Sequence, residues 1–165
     1  MSVSNKILGS AKSIWGKGGF FNGSGIVTST SSKALNAKLE TPASAKNFIL
    51  NSPNKFVDNE NYTNPEDLLC ASHTACLVIT FSSILGKYKY EATHIEADAK
   101  CTMEIRPSGF IVTNMDLHLN AIIPNIEIKK FEELALMAKE ACPISKLMSG
   151  NVNISLKSTL NKTDC

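Results

Sequence analysis

The sequence predicts an α+β fold in which an antiparallel sheet packs on one long central helix. Two stretches, 93–105 and 110–122, alternate apolar and polar residues with the period of a half-buried strand. Arg106-Pro107-Ser108-Gly109 between them is a turn sequence, so the two pair as an antiparallel hairpin. Upstream, TNPEDLLCASHTACLVITFSSIL (63–85) is apolar for long enough to make a core helix. Strands come in runs with the helices grouped between them, which is an α+β order.

In chain order, 1–22 is rich in Gly, Ser and Lys, with Trp15 and Phe20-Phe21 as its large apolar groups. It reads as an arm that packs against something else. From Gly25 to Leu39, Ile26-Val27 and then Leu35, Ala37 and Leu39 predict two short strands joined around 31–33. The stretch 41–62 carries Pro42, Pro53 and several Asn and reads as a long loop, a length usually reserved for function or mobility.

The central helix opens with Asn64 as cap and Pro65 at its first position. Glu66 and Asp67 then complement the dipole, and Gly86 supplies a stop. Its length also suits a bilayer. Glu66, Asp67, Ser72, His73, Ser82 and Ser83 make it too polar for lipid, so no membrane span is expected.

In the strand 93–105, the face bearing Ile95, Ala97, Ala99, Cys101, Met103 and Ile105 is expected inside. In 110–122 the corresponding set is Ile111, Met115, Leu117, Leu119 and Ala121. A helix over about 128–141 gathers Ile128, Phe131, Leu134, Ala135 and Ala138 on one face. Pro143 starts a short helix that Gly150 stops, and 152–160 alternates as a last strand.

At 165 residues the chain is the size of one domain, spanning 1–165. A net charge of +2 argues against nucleic acid and strongly acidic partners. No apolar stretch near the N-terminus has the form of a signal peptide, so a cytoplasmic location is expected. The five cysteines are an odd number and do not read as a disulfide scaffold; one or two working thiols in a reducing compartment fit better.

Cys101 falls on the inner strand face, as a small hydrophobe would, and Cys70 reads as core. Cys165 ends the chain. Cys142 precedes Pro143 at the cap of the short helix, where unpaired amides favour a thiolate, although a packing role fits the same position. Cys76, midway along the central helix, is equally open to a core reading. Cys70, His73 and Cys76 cover an arc of about 120°. A zinc site is therefore conceivable, but one helix without a loop, and no paired Cys spacing, argue against metal. His94 and His118 fall on the wet strand faces. No Walker, dinucleotide or nucleophile-elbow motif is present.

Two motifs then carry a resemblance. TNPEDLLCASHTAC, followed later by CPISKLMSGNVNISL, resembles the OsmC/Ohr family of organic hydroperoxide reductases. SHTAC is closer to the OsmC branch, and GSGIVTSTSSKAL after Trp15-Gly16 is similar to that branch's N-terminal strands. The likeness covers about residues 12–158. It implies an intertwined homodimer with two sites at the interface and no bound cofactor. Cys76 would be the peroxidatic thiolate and Cys142 the resolving thiol, closing a Cys76–Cys142 disulfide. An external dithiol, typically protein-bound dihydrolipoamide, would reduce it. Glu66 matches the family glutamate that holds a catalytic Arg against the reactive sulfur. Ten residues of straight helix set Glu66 about 15 Å from Cys76, so the helix is expected to begin later or bend.

One departure stands out. The family's Arg precedes the TNPE segment, and here the single arginine of the chain is Arg106, in the hairpin turn. Lys46 and Lys55, in the 41–62 loop, are the candidate substitutes, as point charges without the bidentate fork of Arg. The alternative reading is a small-molecule-binding protein on the same fold.

Overall fold

The structure, a computed structural model, describes residues 5–15, 25–29, 36–39 and 65–161. The strands are β1 (Asn5–Trp15), β2 (Gly25–Ser29), β3 (Asn36–Leu39), β4 (His94–Arg106), β5 (Gly109–Ile122) and β6 (Asn153–Asn161). The helices are α1 (Pro65–Lys87), α2 (Ile128–Ala141) and α3 (Pro143–Met148). The six strands form one sheet in the order β3-β2-β1-β4-β5-β6.

The α+β prediction and the β2–β3 and β4–β5 hairpins stand. Two readings change. The stretch taken as an N-terminal arm contains β1, which sits between β2 and β4 and pairs antiparallel with both. Its Gly and Ser content hid a strand whose Ser13 is fully buried and hydrogen-bonded to Thr74 of α1 at 2.6 Å. β6 runs parallel to β5, not antiparallel. The connection through α2 and α3 is a crossover, which returns the chain in the direction it left. The 41–62 loop lies outside the described residues.

α1 packs against the sheet through Cys70, Leu77, Val78, Phe81 and Leu85, all at most 1% exposed. Phe81 meets Phe131 of α2 edge-to-face, with ring centroids 5.9 Å apart. The inner faces of β4 and β5 complete the core with Ile95, Ala97, Ala99, Cys101, Met115, Leu117, Leu119 and Ala121. α1 is long and apolar enough to cross a membrane, yet half of that window is buried within the chain.

Details of the elements differ from expectation for local reasons. α1 runs past Gly86, because the left-handed position is taken by Lys89 (φ 62°). Tyr90 N–H donates to Leu85 O and Lys89 N–H to Gly86 O, the paired bonds that close a helix end. Register shifts between Thr102 and Met103, leaving Thr113 as an extra residue in β5. Past that bulge burial fades, and Ile105, expected inside, is 41% exposed. Ile128 is exposed as well; it is the first residue of α2, and burial begins a turn later at Phe131.

Candidate active site

Cys76 and Cys142 are brought into side-chain hydrogen-bond contact, both as free thiols. Their supports differ. Cys76 stands on the partly exposed side of α1. Cys142 lies between α2 and α3, where Pro143 bars it from helical geometry, and it holds φ −58°, ψ 120°. Its amide still closes α2 on Ala138 O at 2.9 Å. The resulting break aims its side chain inward, fully buried.

The first turn of α3 supplies donors to both sulfurs. The Ile144 amide reaches Cys76, and the Ser145 amide and hydroxyl reach Cys142. His73, one turn before Cys76, is fully buried; its Nε2 is 2.8 Å from Ser145 Oγ, and it also bonds toward Cys142. His73 Nδ1 has no hydrogen-bond partner among the described residues. A buried polar atom left so costs about 1–3 kcal/mol.

These contacts decide where charge rests. The hydrogen bond from Cys76 holds the Cys142 thiol well below its ordinary value, aided by His73 and by the Ser145 amide and hydroxyl, against the opposing effect of burial. The same bond to Cys142, together with burial, pushes Cys76 up, while the Ile144 amide and Thr80 pull the other way. The two sulfurs thus titrate as a pair sharing one proton, with the charge favoured on Cys142. The resemblance gives the attacking thiolate to Cys76; in the resting chain the donors favour its neighbour.

Glu66 is not brought to Cys76. α1 begins at Pro65 and continues as one helix to Lys87, so the later start is not seen. The two residues lie about 15 Å apart along the helix. The Glu66 charge is instead felt by a second thiol pair, Cys70 and Cys101. Both are fully buried, and Cys70 Sγ is 3.9 Å from Met115 Sδ. The bond to Cys101, burial and the charges of Asp67 and Glu66 push Cys70 up.

Lys46 and Lys55 lie outside the described residues. Arg106 is occupied at the hairpin with Glu104, at 2.8 and 3.0 Å. Among the described residues no cluster has the makings of a metal site. His94 lies 3.6 Å from Glu96 and His118 bonds Thr159 at 3.1 Å, both on the outer sheet face. Sequence reasoning missed Ser145, Thr80 and the role of His73 toward Cys142. The signal was present in C-P-I-S, which sets a hydroxyl and an amide three residues after the thiol.

An α+β sheet backed by a long helix, with a partly exposed thiol meeting a buried one, defines a class of thiol-bearing domain. Residues 58–157, more than half the chain, match the family model described as OsmC-like protein, and the chain belongs to that family. It is 29% identical over 101 residues to "Peroxiredoxin OsmC" of Escherichia coli (strain K12), covering 61% of this chain and 71% of that protein. It is 32% identical over 97 residues to an "Organic hydroperoxide resistance protein-like" protein of Staphylococcus aureus (strain MRSA252), covering 57% and 67% respectively. Among solved structures, the organic hydroperoxide resistance protein OhrB of Bacillus subtilis superposes with a TM-score of 0.56 at 22% identity, covering 96% of this chain and 98% of that one. An OsmC-like protein from Mycoplasma pneumoniae gives 0.57 at 14% identity, covering 96% and 95%. At those identities the structural likeness is one of fold.

Proposed function

We propose that this protein is a cofactor-free thiol peroxidase that reduces organic hydroperoxides to alcohols through Cys76 and Cys142. The observation that carries the reading is the asymmetric thiol pair: two sulfurs in hydrogen-bond contact, one reachable from solvent and one buried. The names of its relatives, peroxiredoxin and organic hydroperoxide resistance protein, point the same way.

The chemistry follows from the pair. As a hydroperoxide reaches Cys76, the Cys76 proton passes to Cys142 along their hydrogen bond. The Cys76 thiolate attacks the terminal peroxide oxygen, the O–O bond breaks, and the alkoxide leaves and takes a proton to become the alcohol. Cys76 is then a sulfenic acid. Cys142 attacks that sulfur, water leaves, and the Cys76–Cys142 disulfide closes. A dithiol of the dihydrolipoamide type, free or on a lipoylated protein, returns the pair to thiols in a reducing, cytoplasmic setting.

Glu66 enters this scheme through a second copy of the chain. In one chain it stands about 15 Å from Cys76, so a homodimer is the arrangement that brings it to the sulfur. Lys46 or Lys55 would supply the cation that favours the thiolate on Cys76, as a point charge.

The test is steady-state turnover with dihydrolipoamide as reductant. The expected result is faster consumption of cumene hydroperoxide than of hydrogen peroxide, from a protein that sediments as a dimer. Loss of neither peroxide above the rate of free dithiol would refute the reading and favour a binding protein on the same fold.

A further inference from the structure

The reductive half of the cycle has a direction that follows from the burial of the two sulfurs; the inference rests on the reading just given. A thiol reducing a disulfide attacks one sulfur in line with the S–S bond and expels the other. Cys76 has an open side, whereas Cys142 has none. The open cleft on α3, lined by Lys139, Ser145, Lys146 and Ser149 among others, reaches Ser145 but not Cys142.

The sulfur that leaves must carry the electron pair. Around Cys142 the fold has gathered a fully buried histidine, a buried serine hydroxyl and a backbone amide. When Ser145 Oγ donates to the sulfur, its lone pair accepts from His73 Nε2 at 2.8 Å, giving a continuous donor chain from α1 to Cys142. We propose that His73 and Ser145 are a positioning pair that holds the Cys142 sulfur as leaving group, so that the reducing thiol is taken up by Cys76.

The step balances. The incoming thiolate bonds to Cys76 Sγ, the Cys76–Cys142 bond breaks, and its electrons stay on Cys142 Sγ as thiolate. The second thiol of the dithiol then attacks the mixed disulfide at the reductant's own sulfur and expels Cys76. The dithiol leaves oxidised, and its two protons pass to solvent and to the thiol pair.

The test forms the disulfide with diamide, so that it does not depend on hydroperoxide chemistry. Glutathione, a monothiol, is added in excess, the released thiol is trapped with N-ethylmaleimide, and the adduct is mapped by mass spectrometry. The expected adduct is on Cys76, at least tenfold over Cys142; an equal split, an adduct on Cys142, or no disulfide with diamide overturns the proposal. The second readout is the rate of disulfide reduction by dithiothreitol divided by the rate of its formation by diamide. That ratio is expected to fall about tenfold in Ser145→Ala and in His73→Leu, and to recover to within threefold of wild type in Ser145→Thr, which keeps the hydroxyl. An unchanged ratio in Ser145→Ala and His73→Leu leaves His73 and Ser145 as packing and overturns it. If the adduct and ratio behave as expected but cumene hydroperoxide leaves the thiols reduced, this proposal stands and the peroxidase reading fails.

Discussion

Two thiol pairs hang from the same helix, six residues apart. Cys70 meets Cys101 of β4, and Cys76 meets Cys142 at the α2–α3 junction. In both pairs the two free thiols face one another. What separates them is what else donates. Cys70 and Cys101 lie in the apolar layer between helix and sheet. Their mutual hydrogen bond, burial and the charges of Asp67 and Glu66 push Cys70 up, while the bond from Cys70 is all that draws Cys101 down, against burial and Glu66. Cys142 has an amide, a hydroxyl and an imidazole turned toward it, and its partner Cys76 has an open side. Under the proposed function, donors and access rather than thiol contact set the two pairs apart, because two cysteines in contact are present in both places.

The largest expected effect separates the pairs outright. Cys76→Ser is expected to lower cumene hydroperoxide turnover at least about a thousandfold, since a hydroxyl cannot replace a thiolate nucleophile. Cys70→Ser is expected to keep turnover within a few-fold. Coupled peroxidase assays on both variants check this, and equal losses would erase the distinction.

Next comes Cys142→Ser, which removes both the resolving thiol and the group that takes the Cys76 proton, so attack on the peroxide is expected to slow without being abolished. A dimedone-reactive sulfenic acid on Cys76 is expected to persist, and excess peroxide drives it to sulfinic acid. Mass spectrometry after one and ten equivalents reads both species.

The pH dependence sharpens the comparison from the side of charge. Titrated downward at 240 nm, reduced protein is expected to hold one thiolate well below the ordinary thiol value of about 8.5. Cys142 loses its depressed titration in Cys76→Ala, which removes the largest donor. Because the folded value of Cys142 lies below the unfolded one, its charge adds stability that is complete above the unfolded value and is lost as pH falls through the folded one. Cys76, pushed up, acts in the opposite sense at alkaline pH. Cys101, drawn down by Cys70 alone against burial and Glu66, is expected to shift less than Cys142 in the same titration.

The smallest effect is on stability. Cys101→Ala removes a fully buried sulfur and is expected to cost about 1 kcal/mol in urea unfolding, with turnover unchanged within twofold. A large loss of turnover would instead tie the inner pair to the chemistry.

Much of this was legible before the structure. Alternation in 93–105 and 110–122 gave the hairpin, and the cap chemistry at Pro65 gave the start of α1 to the residue. The two motifs around Cys76 and Cys142 located the thiols. Less legible was β1, because its burial rests on small residues such as Ser13 that alternate weakly in hydropathy. The parallel β6 also escaped, since strand direction depends on how α2 and α3 cross the sheet. Ser145 and His73 were invisible as partners because a 2.8 Å bond between residues on two helices has no local periodicity.

The measurement that tests the central claim most directly is a disulfide map. Reduced protein is given one equivalent of cumene hydroperoxide, quenched with a thiol-blocking reagent within seconds, and digested for mass spectrometry. The account predicts a Cys76–Cys142 disulfide in near-stoichiometric yield, formed faster than with hydrogen peroxide, with Cys70 and Cys101 still blocked as thiols. Free Cys76 and Cys142 after minutes, or a Cys70–Cys101 disulfide in their place, would contradict it.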